Sequence, residues 1–216
     1  LARERVLLIV SQKDKEVEVP KPSDLYEVGT ACNILKMRKN PDGSVQVLVQ
    51  AFARVRVVEW LDLGDHLEAK GEVLADEPGD PTLVKALVRE VKDKFQALLK
   101  EGKYLAPEVA QFVLNLEDPS QLADYVAFHM DFRLEEKQGV LETPNVAERL
   151  KRVLVLLEAE LELIETQRRI QQQVKEEIDR NQREYFLREQ MKAIQRELHG
   201  EEGAEEVEEF RRKVEE

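Results

Sequence analysis

The residues with which this chain could do covalent or acid–base chemistry are few and scattered. Its serines are Ser11, Ser23, Ser44 and Ser120, and none lies in the G-x-S-x-G pattern that strains a nucleophile at a strand-to-helix turn. The histidines His66, His129 and His199 are far apart and lack the close spacing of metal ligands, so each reads as a satisfied or exposed side chain. The single cysteine, Cys32, excludes an internal disulfide framework and any multi-cysteine zinc site. It falls within a predicted strand, where a buried, inert thiol is expected. A phosphate loop is approached only at Gly102 and Lys103, where Tyr104 replaces the Ser or Thr and Ala97 stands in place of the first glycine. Neighbouring acids such as Glu135 and Glu136 sit in charge-rich helical surface, a pattern that reads as a solvated face. The residue types therefore predict no catalytic residues, no metal ligands and no cofactor site, and interaction surface is what remains.

Two stretches carry that surface. The segment Val17–Tyr26 sets Val19, Pro20, Pro22, Leu25 and Tyr26 among charges. Its prolines remove backbone donors and stiffen the chain, so it could present apolar groups to an unfolded polypeptide or could simply cover a sheet edge. The second stretch is Tyr185, Phe186 and Leu187, followed by Met191, inside a long helical pattern. Consecutive helical residues point about 100° apart, so one neighbouring helix cannot bury all three. At least one is then left for a crowded junction or a partner.

Composition narrows the partners. The 216 residues carry a formal net charge of −12, with 36% charged and 42% hydrophobic residues. The apolar share suffices for a core, and the charged share exceeds the roughly 25% of an ordinary domain, so much of the chain is solvated. The negative balance argues against a general nucleic-acid binder. The low cysteine content suits a cytoplasmic setting. No apolar run approaches the roughly 20 residues of a membrane span, so no membrane partner is expected. Abundant Glu, Lys and Arg with few Asn would suit a thermophile. The chain opens on Leu1 almost directly into an apolar run and reads as a piece of a longer protein.

Charge is unevenly distributed. Residues 1–70 hold 11 basic and 11 acidic residues, 71–143 hold 8 and 15, 144–198 hold 11 and 11, and 199–216 hold 3 and 8. The first region reads as β. Val6–Val10 forms an apolar run expected to be buried on both faces. Asn40-Pro41-Asp42-Gly43 is a turn signal. After it Val45, Val47, Val49, Ala51, Ala53, Val55 and Val57 alternate with one parity. A largely antiparallel sheet or small barrel over 1–72 follows.

A helical bundle is expected over 73–143. Asp80-Pro81 and Asp118-Pro119 are caps followed by first-turn prolines. Leu83, Leu87, Val91, Phe95 and Leu98 recur at helical spacing up to Gly102, and Val109, Phe112, Val113 and Leu116 follow Pro107. Leu122, Tyr125, Val126 and Met130 form a third stripe, and a short helix is expected from Leu134 to Gln138.

Thr143-Pro144 then predicts the start of a helix over 144–198, about 80 Å at about 1.5 Å per residue. Its stripe Val146, Leu150, Val153, Leu157, Leu161 and Ile164 is expected to pack on the bundle. Further on, Gln167, Gln171 and Asn181 interrupt the stripe around Val174 and Ile178, and Leu187, Met191, Ile194 and Leu198 run one position out of phase. The second half is therefore expected to project rather than form a long regular coiled coil. Residues 199–216 read as an acidic linker or a fraying helix.

Asn181–Leu198, NQREYFLREQMKAIQREL, resembles the signature that ends the N-terminal region of Lon proteases. Tyr26–Val57 is similar to the β domain of that region. DPSQLADYVAFHM from Asp118 and LEEKQ from Leu134 match its helical part. The resemblance implies a PUA-like β domain and an overall α+β fold. It also implies that this chain precedes the ATPase and protease modules of a hexameric, ATP-dependent AAA+ serine protease. ATP, magnesium and the Ser/Lys dyad would belong to those modules.

The implied role is recognition of unfolded, damaged or degron-bearing proteins, with Val19, Pro20, Pro22, Leu25 and Tyr26 as candidate client contacts. The alternative is a structural spacer that contacts other protomers through Tyr185, Phe186, Leu187 and Met191. A weaker third option is nucleic-acid binding by Lys36, Arg38, Lys39, Arg54 and Arg56.

Overall fold

Asn40-Pro41-Asp42-Gly43 turns the chain as its residue types require. Gly43 takes φ of 87°, a left-handed value that glycine adopts without a Cβ penalty. The Asn40 amide donates to the Ser44 carbonyl at 2.9 Å and closes the hairpin. Asp42 accepts from the Ser44 amide at 2.9 Å and from its hydroxyl at 2.6 Å. The turn joins β2 (Val28–Lys39) to β3 (Val45–Asp62). With β1 (Val6–Ile9) and β4 (Leu67–Leu74) these strands form an antiparallel sheet in the order β1-β2-β3-β4. The structure, a computed structural model, describes residues 6–62, 67–101 and 105–214. The near phosphate loop at Gly102–Tyr104 and the imidazole of His66 lie outside the described residues.

The sheet departs from its expected pattern in two ways. First, β1 is an edge strand, and Val6, Leu7 and Ile9 are exposed rather than buried on both faces. A continuous apolar run does not distinguish a central strand from an edge. Second, the alternation does not keep one parity. The β2–β3 register slips at Phe52 and Leu35, and the β3–β4 register slips at Val58. A one-residue bulge moves the following side chains to the opposite face, so Val45–Val49 and Val55–Val57 are out of step. All three bulge residues are exposed. Gly29 lets β1 approach closely, because a Cβ there would overlap the Ile9 carbonyl and the Val10 side chain. Cys32 is buried as expected, and burial pushes its thiol pKa up.

Five helices follow: α1 (Pro81–Lys100), α2 (Pro107–Asn115), α3 (Pro119–His129), α4 (Leu134–Leu141) and α5 (Val146–Val214). Asp80 caps α1, its carboxylate accepting from the Leu83 amide at 2.8 Å. Asp118 caps α3 through the amides of Ser120 and Gln121. These contacts satisfy donors that have no partner within the helix. On α1 the buried face is Val84, Leu87, Val91, Phe95 and Leu98, with Leu83 turned outward.

Asn145, rather than Thr143, caps α5, accepting from the Glu148 amide at 3.1 Å. The Thr143 hydroxyl instead donates to the Gly139 carbonyl at 2.7 Å and helps finish α4. The stripe of α5 is buried through Val146, Leu150, Val153 and Leu157. Leu161 and Ile164 are half-buried, and every residue from Gln167 to Leu198 is exposed. The α5 backbone stays helical through Gly200 and Gly203, in the stretch read as an acidic linker or a fraying helix. The surrounding Ala, Glu, Lys and Arg offset two glycines that cost about 1 kcal/mol each.

The chain divides into two compact units, Leu1–Leu161 and Glu162–Glu216. The sheet and helices α1–α4 both fall in the first unit. Within it Leu25 of the β1–β2 loop and the sheet residues Val28, Ala31, Cys32 and Val57 are buried. Gln138 of α4 crosses to the sheet, donating to the Val28 carbonyl at 2.8 Å.

Candidate functional site

The expected client contacts do not share one environment. Val19 is 81% exposed, whereas Leu25 is 7% exposed and belongs to the core. Pro20, Pro22 and Tyr26 are half-buried. The cause is local: the loop folds back on its own base. The Lys13 amide donates to the Asp24 carbonyl at 2.7 Å, and the Tyr26 amide donates to the Ser11 carbonyl at 3.0 Å. Gln12 reaches into the loop and donates to the Val17 carbonyl at 2.6 Å. Leu25, bridged to Gln12 at that base, is drawn inside. Polar substitution at Leu25 therefore acts on folding, and Val19 with the outer edges of Pro20, Pro22 and Tyr26 is what the loop shows to solvent.

The helical part carries a more continuous apolar surface. Phe112 of α2 and Tyr125 of α3 meet edge to face with ring centroids 5.2 Å apart. Tyr125 stacks near His129 at 6.3 Å, and His129 meets Phe128 edge to face at 4.9 Å. This makes a run of four rings. Phe128 is 74% exposed, Phe112 and Tyr125 are also exposed, and His129 is half-buried. Burial and the Lys137 charge hold the His129 imidazole below its ordinary pKa. Sequence reading assigned Phe112 and Tyr125 to apolar stripes. The signal it passed over is that Leu122, Ala123, Val126 and Ala127 complete the inward face of α3, which leaves Tyr125 and Phe128 outward.

A buried ionic network holds α3 in place. Arg149 of α5 is 0% exposed. Its guanidinium donates to Asp76 at 2.6 Å, to the Ser120 hydroxyl at 2.7 Å and to the Thr143 carbonyl at 2.8 Å. Arg54 of β3 donates to Asp76 at 3.0 Å and to both carboxylate oxygens of Asp124. Ser120 also hydrogen-bonds Asp76. One cluster thereby ties β3, the β4–α1 connection, α3 and α5 together. Burial alone would raise the Asp76 carboxyl, but hydrogen bonds from Arg149 and Ser120, with the charges of Arg149 and Arg54, outweigh it and hold the group low.

The network also removes Arg54 from the basic patch considered with Lys36, Arg38, Lys39 and Arg56. It was findable in principle. Arg149 falls among Val146, Leu150 and Val153 on the buried stripe, and an arginine there needs partners.

On α5, Tyr185, Phe186, Leu187 and Met191 are all exposed. Among the described residues no helix is long and apolar enough to cross a membrane, and no cluster of His, Cys, Asp and Glu could hold a metal ion. An antiparallel sheet joined through the ion pairs of Arg54 and Arg149 to a helical bundle that displays aromatic rings defines an α+β domain.

The chain belongs to the Lon family: the model described as the ATP-dependent protease La (LON) substrate-binding domain matches residues 1–159. It is 91% identical over 215 residues to Lon protease 2 of Thermus thermophilus, covering 100% of this chain and 27% of that protein. It is 47% identical to Lon protease 1 of the same organism, again over 100% of this chain and 27% of the relative. It is 40% identical to Lon protease of Escherichia coli, over 90% of this chain and 25% of the relative. The chain thus spans about a quarter of the length of these relatives. The N-terminal domain of a Mycobacterium avium complex Lon protease shares the fold, with a TM-score of 0.55 at 22% identity over 70% of this chain and 90% of that one.

Proposed function

We propose that this substrate-binding domain recognises unfolded, damaged or degron-bearing proteins through exposed apolar surface and passes them to a cytoplasmic, hexameric AAA+ ring. ATP, magnesium and the protease dyad are assigned to that ring, and this chain needs no cofactor of its own. The observation that carries the reading is the run Phe112–Tyr125–His129–Phe128, formed by Phe112 of α2 and three rings of α3, the helix that Ser120 and Asp124 tie into the ionic network. Unfolded chains differ from folded ones in offering apolar and aromatic side chains, and pre-ordered rings bind such groups with little conformational loss. Val19, Pro20, Pro22 and Tyr26 supply a second contact of the same chemistry.

Titration of the chain with one protein in native and unfolded forms, followed by residue-specific NMR, tests this. Shifts at Phe112, Tyr125 and Phe128 with the unfolded form alone are expected. Phe112→Ser with Phe128→Ser is expected to weaken binding about tenfold, in line with about 1.4 kcal/mol from two aromatic contacts. Val19→Ser with Tyr26→Ser is expected to have a smaller effect. Unchanged affinity in the first pair removes the helical surface from the reading.

A second reading concerns α5, where four large apolar side chains, Tyr185, Phe186, Leu187 and Met191, stand exposed. We propose that they contact other Lon protomers and that α5 also serves as a spacer. Changing all four to serine is expected to weaken self-association of the chain more than tenfold in sedimentation equilibrium, since aromatic anchors dominate such contacts. Identical association of the variant and the parent rejects it.

A further inference from the structure

The charge around the aromatic run is lopsided. From Leu105 to Thr143 the sequence holds eight acidic residues and two basic ones. Several are committed locally. Asp124 pairs with Arg54, Glu136 pairs with Arg133, Asp118 caps α3, and Glu142 accepts from Gln138. Glu108, Glu117 and Asp131 are exposed, and none of them has an ion pair among the described residues. Glu108 stands one turn before Phe112, four residues away, and so lies on the same face of α2. Asp131 follows His129 by two residues. Lys137 donates to the Phe128 carbonyl at 3.5 Å and keeps its charge beside His129, so one cation stands at this surface against the carboxylates of Glu108, Glu117 and Asp131.

We infer that this surface selects, among unfolded segments, those in which Lys or Arg flanks the apolar residues, over otherwise identical segments flanked by Asp or Glu. The inference rests on the client-binding reading and adds a charge rule to it. Two physical terms act in the same direction. The faces of Phe112, Tyr125 and Phe128 attract cations through their quadrupoles. The carboxylates of Glu108, one turn from Phe112, and Asp131, at the end of the α3 run, attract the same cations and repel acidic flanks, with Glu117 adding to the negative charge of the segment. Because the rim is solvated, salt must weaken the preference, the screening length being about 8 Å at physiological ionic strength.

The test uses the 216-residue chain and two unstructured peptides that share their aromatic residues and differ only in Lys or Glu flanks. Fluorescence anisotropy reads affinity, and residue-specific NMR reads the site. The Lys peptide is expected to bind at least about fivefold tighter at about 0.05 M salt, with the ratio shrinking toward about twofold at about 0.5 M. Glu108→Gln with Asp131→Asn, both at exposed positions, is expected to reduce the ratio by about half at low salt. Equal binding of the two peptides at Phe112 and Phe128 overturns the inference and leaves the client-binding reading intact. A preference indifferent to salt and to the double variant also overturns it. No shift at these rings with either peptide removes the client-binding reading as well.

Discussion

Arg149→Ala is expected to lower the stability of the Leu1–Leu161 unit by about 3 kcal/mol and its Tm by roughly 6–12 °C. Arg149 is fully buried and holds Asp76, Ser120 and two carbonyls at the start of α5. Removing one partner of a buried pair costs about 3–5 kcal/mol, because the charge left behind loses its compensation. The lower end applies here, since Asp76 and Asp124 keep Arg54 and remain partly exposed. Arg149→Lys retains the charge but not the planar fork that serves several acceptors, so its loss is expected to be intermediate. Urea and thermal melts of the three proteins measure this. A loss below about 1 kcal/mol for the alanine variant, the range of an exposed surface pair, would show that the network does not hold sheet and bundle together.

Two phenylalanines on neighbouring helices are expected to behave in opposite ways. Phe95 of α1 is fully buried beside Val91 and Leu98. Phe95→Ala is expected to cost about 3–5 kcal/mol, combining lost transfer energy with a cavity, while the folded fraction binds an unfolded client with parental affinity. Phe128 of α3 is mostly exposed. Phe128→Ala is expected to change stability by less than about 0.5 kcal/mol and to weaken client binding several-fold. Denaturation curves and client titrations on both variants separate the two roles. A stability loss of several kcal/mol at Phe128 would make it a packing residue, and parental affinity there would take it out of the binding surface.

Much of the element order was legible because its signals are local. Asp80-Pro81, Asp118-Pro119 and Asn40-Pro41-Asp42-Gly43 act within a few residues through φ restriction and amide capture, and each did so. The Thr143-Pro144 signal resembles them, yet the cap moved to Asn145. The Glu77 carbonyl accepts from the Val146 amide at 2.8 Å, and the Thr143 hydroxyl found the end of α4. A cap whose alternatives are offered by a distant segment cannot be chosen by short-range preference.

The candidate sites divide in the same way. That one neighbouring helix could not bury Tyr185, Phe186 and Leu187 together was readable, because consecutive helical side chains diverge; that all three and Met191 are exposed was not. The burial of Leu25 was not, because it depends on Gln12 and Ser11 closing the loop base.

By itself, then, the sequence determined the β-then-α order, the caps of α1 and α3, the inward stripe of α5 through Leu157 and the kinship with Lon domains. These depend on periodicity, on turn chemistry and on motifs contiguous in the chain. Only the tertiary structure decided which strand lies at the edge, where bulges at Leu35, Phe52 and Val58 reverse the faces, and that Arg54, Asp76, Asp124 and Arg149 meet. It also decided that Phe112, Tyr125 and Phe128 stand together in solvent. Each of these depends on partners in other elements, and a residue's local pattern says that it is apolar or charged without saying what will cover it.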